Sequence, residues 1–158
     1  GWFKNVTPGK ADLASVREWG IRGSLKLEPT DGVRMVLRAS ASRQTPRNYG
    51  IYAQPEADHR AGLGKWEIAA NIDKRRLART WSLALTTDVD LNDVLTLTSI
   101  TSYDDGKLSF YEDTDGTATQ LLEIPYFDRA KQFAQDLRLT SDTGGRFDFI
   151  LGFYFNHE

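Results

Sequence analysis

Apolar and polar residues alternate with a period of two along most of this chain, the pattern of a strand with one apolar face. In 18–28, Trp19, Ile21, Leu25 and Leu27 share one phase, with Gly23 among them. Glu18, Arg22, Ser24, Lys26 and Glu28 share the other. In 33–43, Val33, Met35, Leu37, Ala39 and Ala41 alternate with Arg34, Val36, Arg38, Ser40 and Ser42. The intervening Glu28-Pro29-Thr30-Asp31-Gly32 has turn composition, so the two segments form a hairpin. The pattern returns in 79–89 with Trp81, Leu83, Leu85 and Val89. Asp90-Leu91-Asn92-Asp93 then leads into a Thr-rich strand, Val94 to Tyr103, whose two faces are hard to tell apart. Phe133, Leu137 and Leu139 mark a fifth strand. After the turn at 141–145, Phe147, Phe149, Leu151, Phe153 and Phe155 mark a sixth.

The pattern therefore predicts an all-β chain of antiparallel up-and-down strands near 16–28, 33–43, 79–90, 94–103, 131–140 and 146–156. Each is close to the 9–11 residues with which a tilted strand crosses a bilayer. The turns at 29–32, 90–93 and 141–145 are short, whereas the connections 44–78 and 104–130 are long and polar, and 1–15 reads as part of another loop. Short turns at one end and long loops at the other mark an outer-membrane barrel. The lipid-facing row is then Trp19, Ile21, Leu25, Leu27, Leu83, Leu85, Phe149, Leu151 and Phe153. Trp19, Trp81, Tyr103 and Phe153 supply interfacial aromatics, and Arg22, Lys26, Arg34, Arg38 and Arg138 face a wet lumen. A soluble sandwich or lipocalin-like barrel, with the apolar rows turned inward as a core, is the alternative. Six strands fall short of the eight that close a small membrane barrel, so the chain is expected to be an internal block of a longer protein.

Composition narrows the field. Aromatic and aliphatic content is too high for a disordered chain. With no Cys, disulfide frameworks and thiolate metal sites are excluded, and two histidines give little material for a metal centre. Lys and Arg number 20 against 22 Asp and Glu, which argues against a nucleic-acid partner. No signal peptide is visible.

Segment 94–103 reads VLTLTSITSY. It is followed by an acidic stretch, Glu112 to Thr117, then by QDLRLTS at 135–141, a Gly-containing turn, and the aromatic LGFYF at 151–155. This order of elements resembles the mid-barrel region of TonB-dependent outer-membrane receptors, whose strands commonly read LTSITxY, QELRL(A/T)S and GxYYF. The upstream WGIRGSLKLEPTDGVRMVLRAS is similar to that family's preceding hairpin. The resemblance covers nearly the whole chain and is strongest from residue 79. It implies part of a large transmembrane β-barrel in a Gram-negative outer membrane, with outer-membrane lipid around it. The substrate implied is a ferric siderophore or another large nutrient. Uptake would be energised by the TonB complex through segments, the plug and TonB box, that this sequence does not contain. A transporter of this kind needs no cofactor and performs no bond chemistry.

The residues themselves carry no nucleophile elbow, HExxH or phosphate loop. A barrel enzyme is accordingly the most distant alternative. Asp113, Asp115 and Gly116 resemble a calcium loop, but the closing position is Leu122 where an EF-hand has Glu, so no metal site is expected. The ligand-binding candidates are the loop aromatics Tyr49, Tyr52, Trp66, Tyr111 and Tyr126 with His59, because rigid rings and polar tips capture ligands on open surfaces. The stretch 66–79 is expected to hold a short helix. Its Lys74-Arg75-Arg76 run is expected to be solvated or to lie near lipid headgroups.

Overall fold

The structure, a computed structural model, describes residues 1–51, 62–72 and 74–158. The fold is all-β, and no helix occurs among the described residues. The strands are β1 (Lys4–Asn5), β2 (Glu18–Thr30), β3 (Val33–Gln44), β4 (Glu67–Ile68), β5 (Leu77–Asp90), β6 (Leu95–Asp113), β7 (Glu123–Ser141) and β8 (Ile150–His157). β1 and β4 form a small parallel pair, and the other six form an antiparallel sheet in the order β2-β3-β5-β6-β7-β8. Apart from the excursion through β4, sequence neighbours are sheet neighbours, as period-two segments joined by turns require.

Three expectations need correction. The connection placed at 104–130 is mostly strand, because β6 and β7 are each 19 residues long and leave only 114–122 between them. The last strand begins at Ile150 rather than at 146. Phe147 lies instead in a turn whose Thr143 and Asp148 side chains hold the backbone, Thr143 N donating to Asp148 Oδ1 at 2.7 Å. The stretch 66–79 holds the short strand β4 and the start of β5, not a helix. The sorting of connections by length is consequently softer than the sequence suggests. The connections 31–32 and 91–94 are short, but 142–149 nearly equals 114–122.

The chain divides into two compact units. The first comprises Gly1–Trp19, Arg43–Arg79 and Lys107–Arg129. It has its own core: Leu13, Ile68 and Ala70 are 2%, 1% and 2% exposed, and Phe3 packs against them. Buried Asn5 is its polar hub. Its Nδ2 donates to Ala70 O at 3.0 Å, its Oδ1 accepts from Ala70 N and Thr7 N, and its backbone N donates to Asp12 Oδ1. The Asn5 amide is thus satisfied through both its oxygen and its nitrogen, as a buried amide requires. Ala14 is held at φ 54°, a strained conformation for a residue with a Cβ, by a 2.6 Å bond from its N to Asn48 O.

The second unit comprises Gly20–Ser42, Thr80–Gly106 and Ala130–Glu158. Cross-strand contacts sort its residues by face. On one face Arg38 Nη1 donates to Thr86 Oγ1, Ser42 and Thr80 share a hydrogen bond, and Thr98 and Thr96 donate to Asp88 and Asp90. Asp136 pairs with Arg138 at 2.6 Å on the same phase. The other face is apolar. Trp81 meets Tyr103 with ring centroids 5.2 Å apart, Phe133 meets Phe155 at 6.4 Å, and Leu137 and Leu139 lie opposite Phe153 and Leu151. The β6 strand, ambiguous by sequence, thereby resolves: Thr96 and Thr98 belong to the polar face and Tyr103 to the apolar one. Among the described residues no hydrophobic side chain of this unit is buried, and Ile21, Leu151 and Phe153 are 68%, 67% and 61% exposed.

The apolar face carries a hydrogen-bonded polar group. Gln135 Oε1 accepts from Thr101 Oγ1 at 2.7 Å, and Gln135 Nε2 donates to Ser99 Oγ at 3.0 Å and to Asp136 O at 3.2 Å. The three side chains satisfy one another without a partner from outside the sheet.

Candidate functional site

Adjacent strand residues point to opposite faces, so Phe110 and Tyr111 of β6 supply rings to both. Each ring meets one from β7. Phe110 stacks on Tyr126 at 4.5 Å with an 11° interplanar angle, and Tyr111 meets Phe127 edge-on at 5.9 Å. Offset stacking and edge contact are the favoured geometries of aromatic pairs. Two cations cover these rings. Lys74 Nζ lies 3.8 Å from the Tyr111 centroid and the Arg76 guanidinium 5.3 Å from that of Phe110. Such contacts contribute about 0.5–1 kcal/mol each at exposed positions.

Glu112 shares the Phe110 face. It accepts from Tyr49 Oη at 3.1 Å and also bonds the Tyr126 hydroxyl. Both phenols are pushed above their ordinary pKa: Tyr49 by burial and then by Glu112, and Tyr126 by the bond to Glu112 and then by burial. Backbone ties fix the flanking segment. Asn48 Nδ2 donates to Tyr111 O, Arg76 N to Pro46 O, and Arg75 Nη1 to Thr45 O at 2.9 Å. The Lys74-Arg75-Arg76 run is exposed, as a solvated run is expected to be, and each of its side chains also has a partner. Two of its cations sit on rings and the third on a backbone carbonyl.

Of the sequence candidates, Tyr49 and Tyr126 come together at Glu112 on the Phe110 face, whereas Tyr111 lies on the opposite face against Phe127. Trp66 does not join them. It packs edge-on against Phe3 at 5.5 Å, with Lys65 over its ring. Tyr52 and His59 lie outside the described residues. Glu112, Lys74 and Arg76 were not singled out as site residues. The only sequence signal for them is a basic triplet and an acidic residue beside an aromatic pair, which fixes no contact between segments more than thirty residues apart.

The connection 114–122 is organised by one carboxylate. Asp115 Oδ1 accepts from Thr117 N and Oγ1, and its Oδ2 from Leu121 N and Leu122 N at 3.2 and 2.8 Å. Burial alone would raise its pKa, but these donors outweigh it and hold the carboxyl below its usual range. Asp113 behaves oppositely. Burial raises it, Asp115 adds to the rise, and bonds from Gly116, Ile72 and Asn71 backbone only partly offset it.

The cluster offers stacking faces, phenol hydroxyls and a carboxylate on an open surface. These are binding chemistry, and no group of three or more metal-ligating side chains occurs among the described residues. No protein-family profile, curated protein or solved structure matches the chain.

Proposed function

We propose that this chain is a block of consecutive barrel strands from a TonB-dependent outer-membrane receptor, a transporter for a ferric siderophore or a similarly large nutrient. The observation that carries the reading is the two-faced sheet of the second unit. One face holds a largely apolar, aromatic-rich surface that nothing among the described residues covers. The other holds the paired charges and threonines. In water such an apolar surface drives association, because soluble monomers rarely expose contiguous patches of that extent. In lipid it is the required surface, and the charged face lines a wet interior. The polar group at Ser99, Thr101 and Gln135 fits the same setting, since its members bond one another and hydrocarbon offers no other partner. The resemblance of the strand motifs supports the reading independently. The aromatic cluster around Phe110, Tyr126 and Tyr49, near the connection 114–122, would then contribute to ligand capture.

Antiparallel strands place 114–122 and 91–94 at opposite ends of the sheet, so the proposal predicts opposite accessibility. Because the chain has no Cys, T119C and D93C each introduce a unique thiol. In intact cells expressing the complete natural protein, a membrane-impermeant maleimide should label T119C and leave D93C unlabelled until the outer membrane is permeabilised. Recovery of the protein in the soluble fraction, or labelling of both positions in intact cells, would overturn the proposal.

A further inference from the structure

One lateral row of the first unit is built of cations. The contacts between neighbouring strands fix which residues face each other. Thr45 N donates to Arg17 O, so Trp19 of β2 lies opposite Arg43 of β3. Arg47 bridges Arg75 in the antiparallel sense and Ser42 bonds Thr80, which sets Arg43 opposite Arg79 of β5. Bonds from Thr96 to Asp90 and from Thr98 to Asp88 set Arg79 opposite Lys107 of β6. Thr114 N donates to Leu122 O and Thr101 bonds Gln135, which sets Lys107 opposite Arg129 of β7. Trp19, Arg43, Arg79, Lys107 and Arg129 therefore form a single row, all within the first unit and all exposed. Neighbouring strands lie about 4.8 Å apart. Like charges directly opposite one another at that spacing are destabilising. Arg43, Arg79 and Lys107 have no side-chain hydrogen bond or ion pair among the described residues. Asp105, the preceding residue of β6 on the same phase, is 6% exposed, and one buried carboxylate does not offset the row. Cations held in register in this way need an anion from outside the chain.

The row keeps the phase of its strands' apolar residues. Arg43 follows Ala39 and Ala41 at steps of two, Arg79 precedes Trp81 and Leu83, and Trp19 precedes Ile21. An acidic protein surface matches the charge but not the apolar residues next to it. A bilayer presents both in this order, headgroups beside acyl chains. The aromatic at the end of the row, Trp19, is of the type enriched at headgroup depth. Arg and Lys stems lie along apolar surface and carry their charge out to the phosphates. We infer that this row binds the phosphates of anionic lipid headgroups at the membrane surface. The inference rests on the proposed lipid-facing sheet, and it adds a selectivity for lipid charge that an apolar surface alone does not have.

The test uses the complete natural protein, loaded in detergent micelles with equal phosphatidylglycerol and phosphatidylcholine, washed with lipid-free detergent and assayed for the lipid it retains. Phosphatidylglycerol should be retained in clear preference, and the preference should shrink with added salt. Arg79→Gln should reduce it about fivefold, the effect of one cation at an anionic surface. R43Q/R79Q/K107Q should abolish it, whereas R22Q/R34Q, which removes exposed cations from the opposite phase, should leave it intact. Unchanged circular dichroism in detergent checks the fold of each variant. A protein that needs detergent but retains both lipids equally, or a folded triple variant that keeps the preference, would overturn the inference and leave the transporter reading standing. Loss of the bound lipid to inorganic phosphate, but not to chloride of the same ionic strength, would assign the row to a free anion and overturn it too. A protein that stays soluble without detergent would sink both readings together.

Discussion

The two units satisfy their apolar residues in opposite ways. In the first, side chains from three separate stretches converge on Leu13, Ile68 and Ala70, and buried Asn5 meets backbone from both sides. That unit supplies its own interior. The second unit has more large apolar side chains, but they stand in rows along the ladder, and the described residues bury none of them fully. Its stability rests on strand pairing within the sheet and on whatever surrounds the apolar face. A charge placed on that face and a cavity cut in the small core should therefore fail in different ways.

The largest effect is expected on the apolar face. Leu151→Arg places a charge where the proposal puts hydrocarbon, at about 2–4 kcal/mol near the bilayer midplane. Tyr154→Arg, on the opposite face of the same strand, should cost far less. Insertion into detergent-free vesicles, followed by protease protection, reads the difference. Equal tolerance of both substitutions would remove the distinction between lipid and lumen faces. Next in size is Ile68→Ala, which empties part of the small core at about 2–5 kcal/mol. Hydrogen exchange should accelerate at Lys4, Val6 and Leu13 while 130–141 of β7 and all of β8 remain protected, if the small core opens as a local unit.

The comparison also shows what the sequence could reveal. The apolar rows were legible because a strand with one apolar face writes its period into adjacent residues. The outer parts of β6 and β7 were not. Asp104, Asp105, Gly106 and Lys107, and later Asp128 and Arg129, break the alternation there, yet backbone pairing with neighbouring strands carries the ladder through them. The small core left no periodic trace, since Leu13 and Ile68 are 55 residues apart, Leu13 outside any named strand and Ile68 in a strand of only two residues. The aromatic candidates were visible as residue types. Their cations were not, because the contact of Lys74 with Tyr111 exists only once the chain has folded.

A smaller effect should appear in the pH dependence of the first unit. Asp115 has a folded pKa below its ordinary value of 3.8. Its contribution is present above that value and is lost as pH falls through the lower, folded one. Asp113 is raised, so in the interval between 3.8 and its folded pKa the unit gains stability as pH falls. Exchange at Leu122 and Thr117 should slow and then quicken as the solution is acidified. Asp113→Asn should remove the first limb and Asp115→Asn the second, with about 1–2 kcal/mol of local stability lost in the latter at neutral pH. A monotonic profile in the parent protein would contradict the opposed environments of the two carboxyls.

The smallest effect sharpens the comparison most. Ser99, Thr101 and Gln135 form a polar group in the apolar face, and their hydrogen bonds run only among themselves and to Asp136 O. Replacing every member of a satisfied polar group by apolar residues of similar shape is nearly neutral, whereas removing one member strands the others. The triple variant S99A/T101V/Q135L should thus unfold within about 1 kcal/mol of the parent in bilayer-based urea titrations. Gln135→Ala alone should cost about 1 kcal/mol more than the triple change, since Thr101 then loses its acceptor. A face packed against lipid adapts to the new side chains because the acyl chains flow around them. A face packed against a fixed protein surface does not, and overpacking there typically costs about 1–3 kcal/mol. A triple variant that falls in that upper range, with Gln135→Ala the milder change, would mean that a protein layer covers this face, and the sheet of the second unit would have its interior where the proposal puts the membrane.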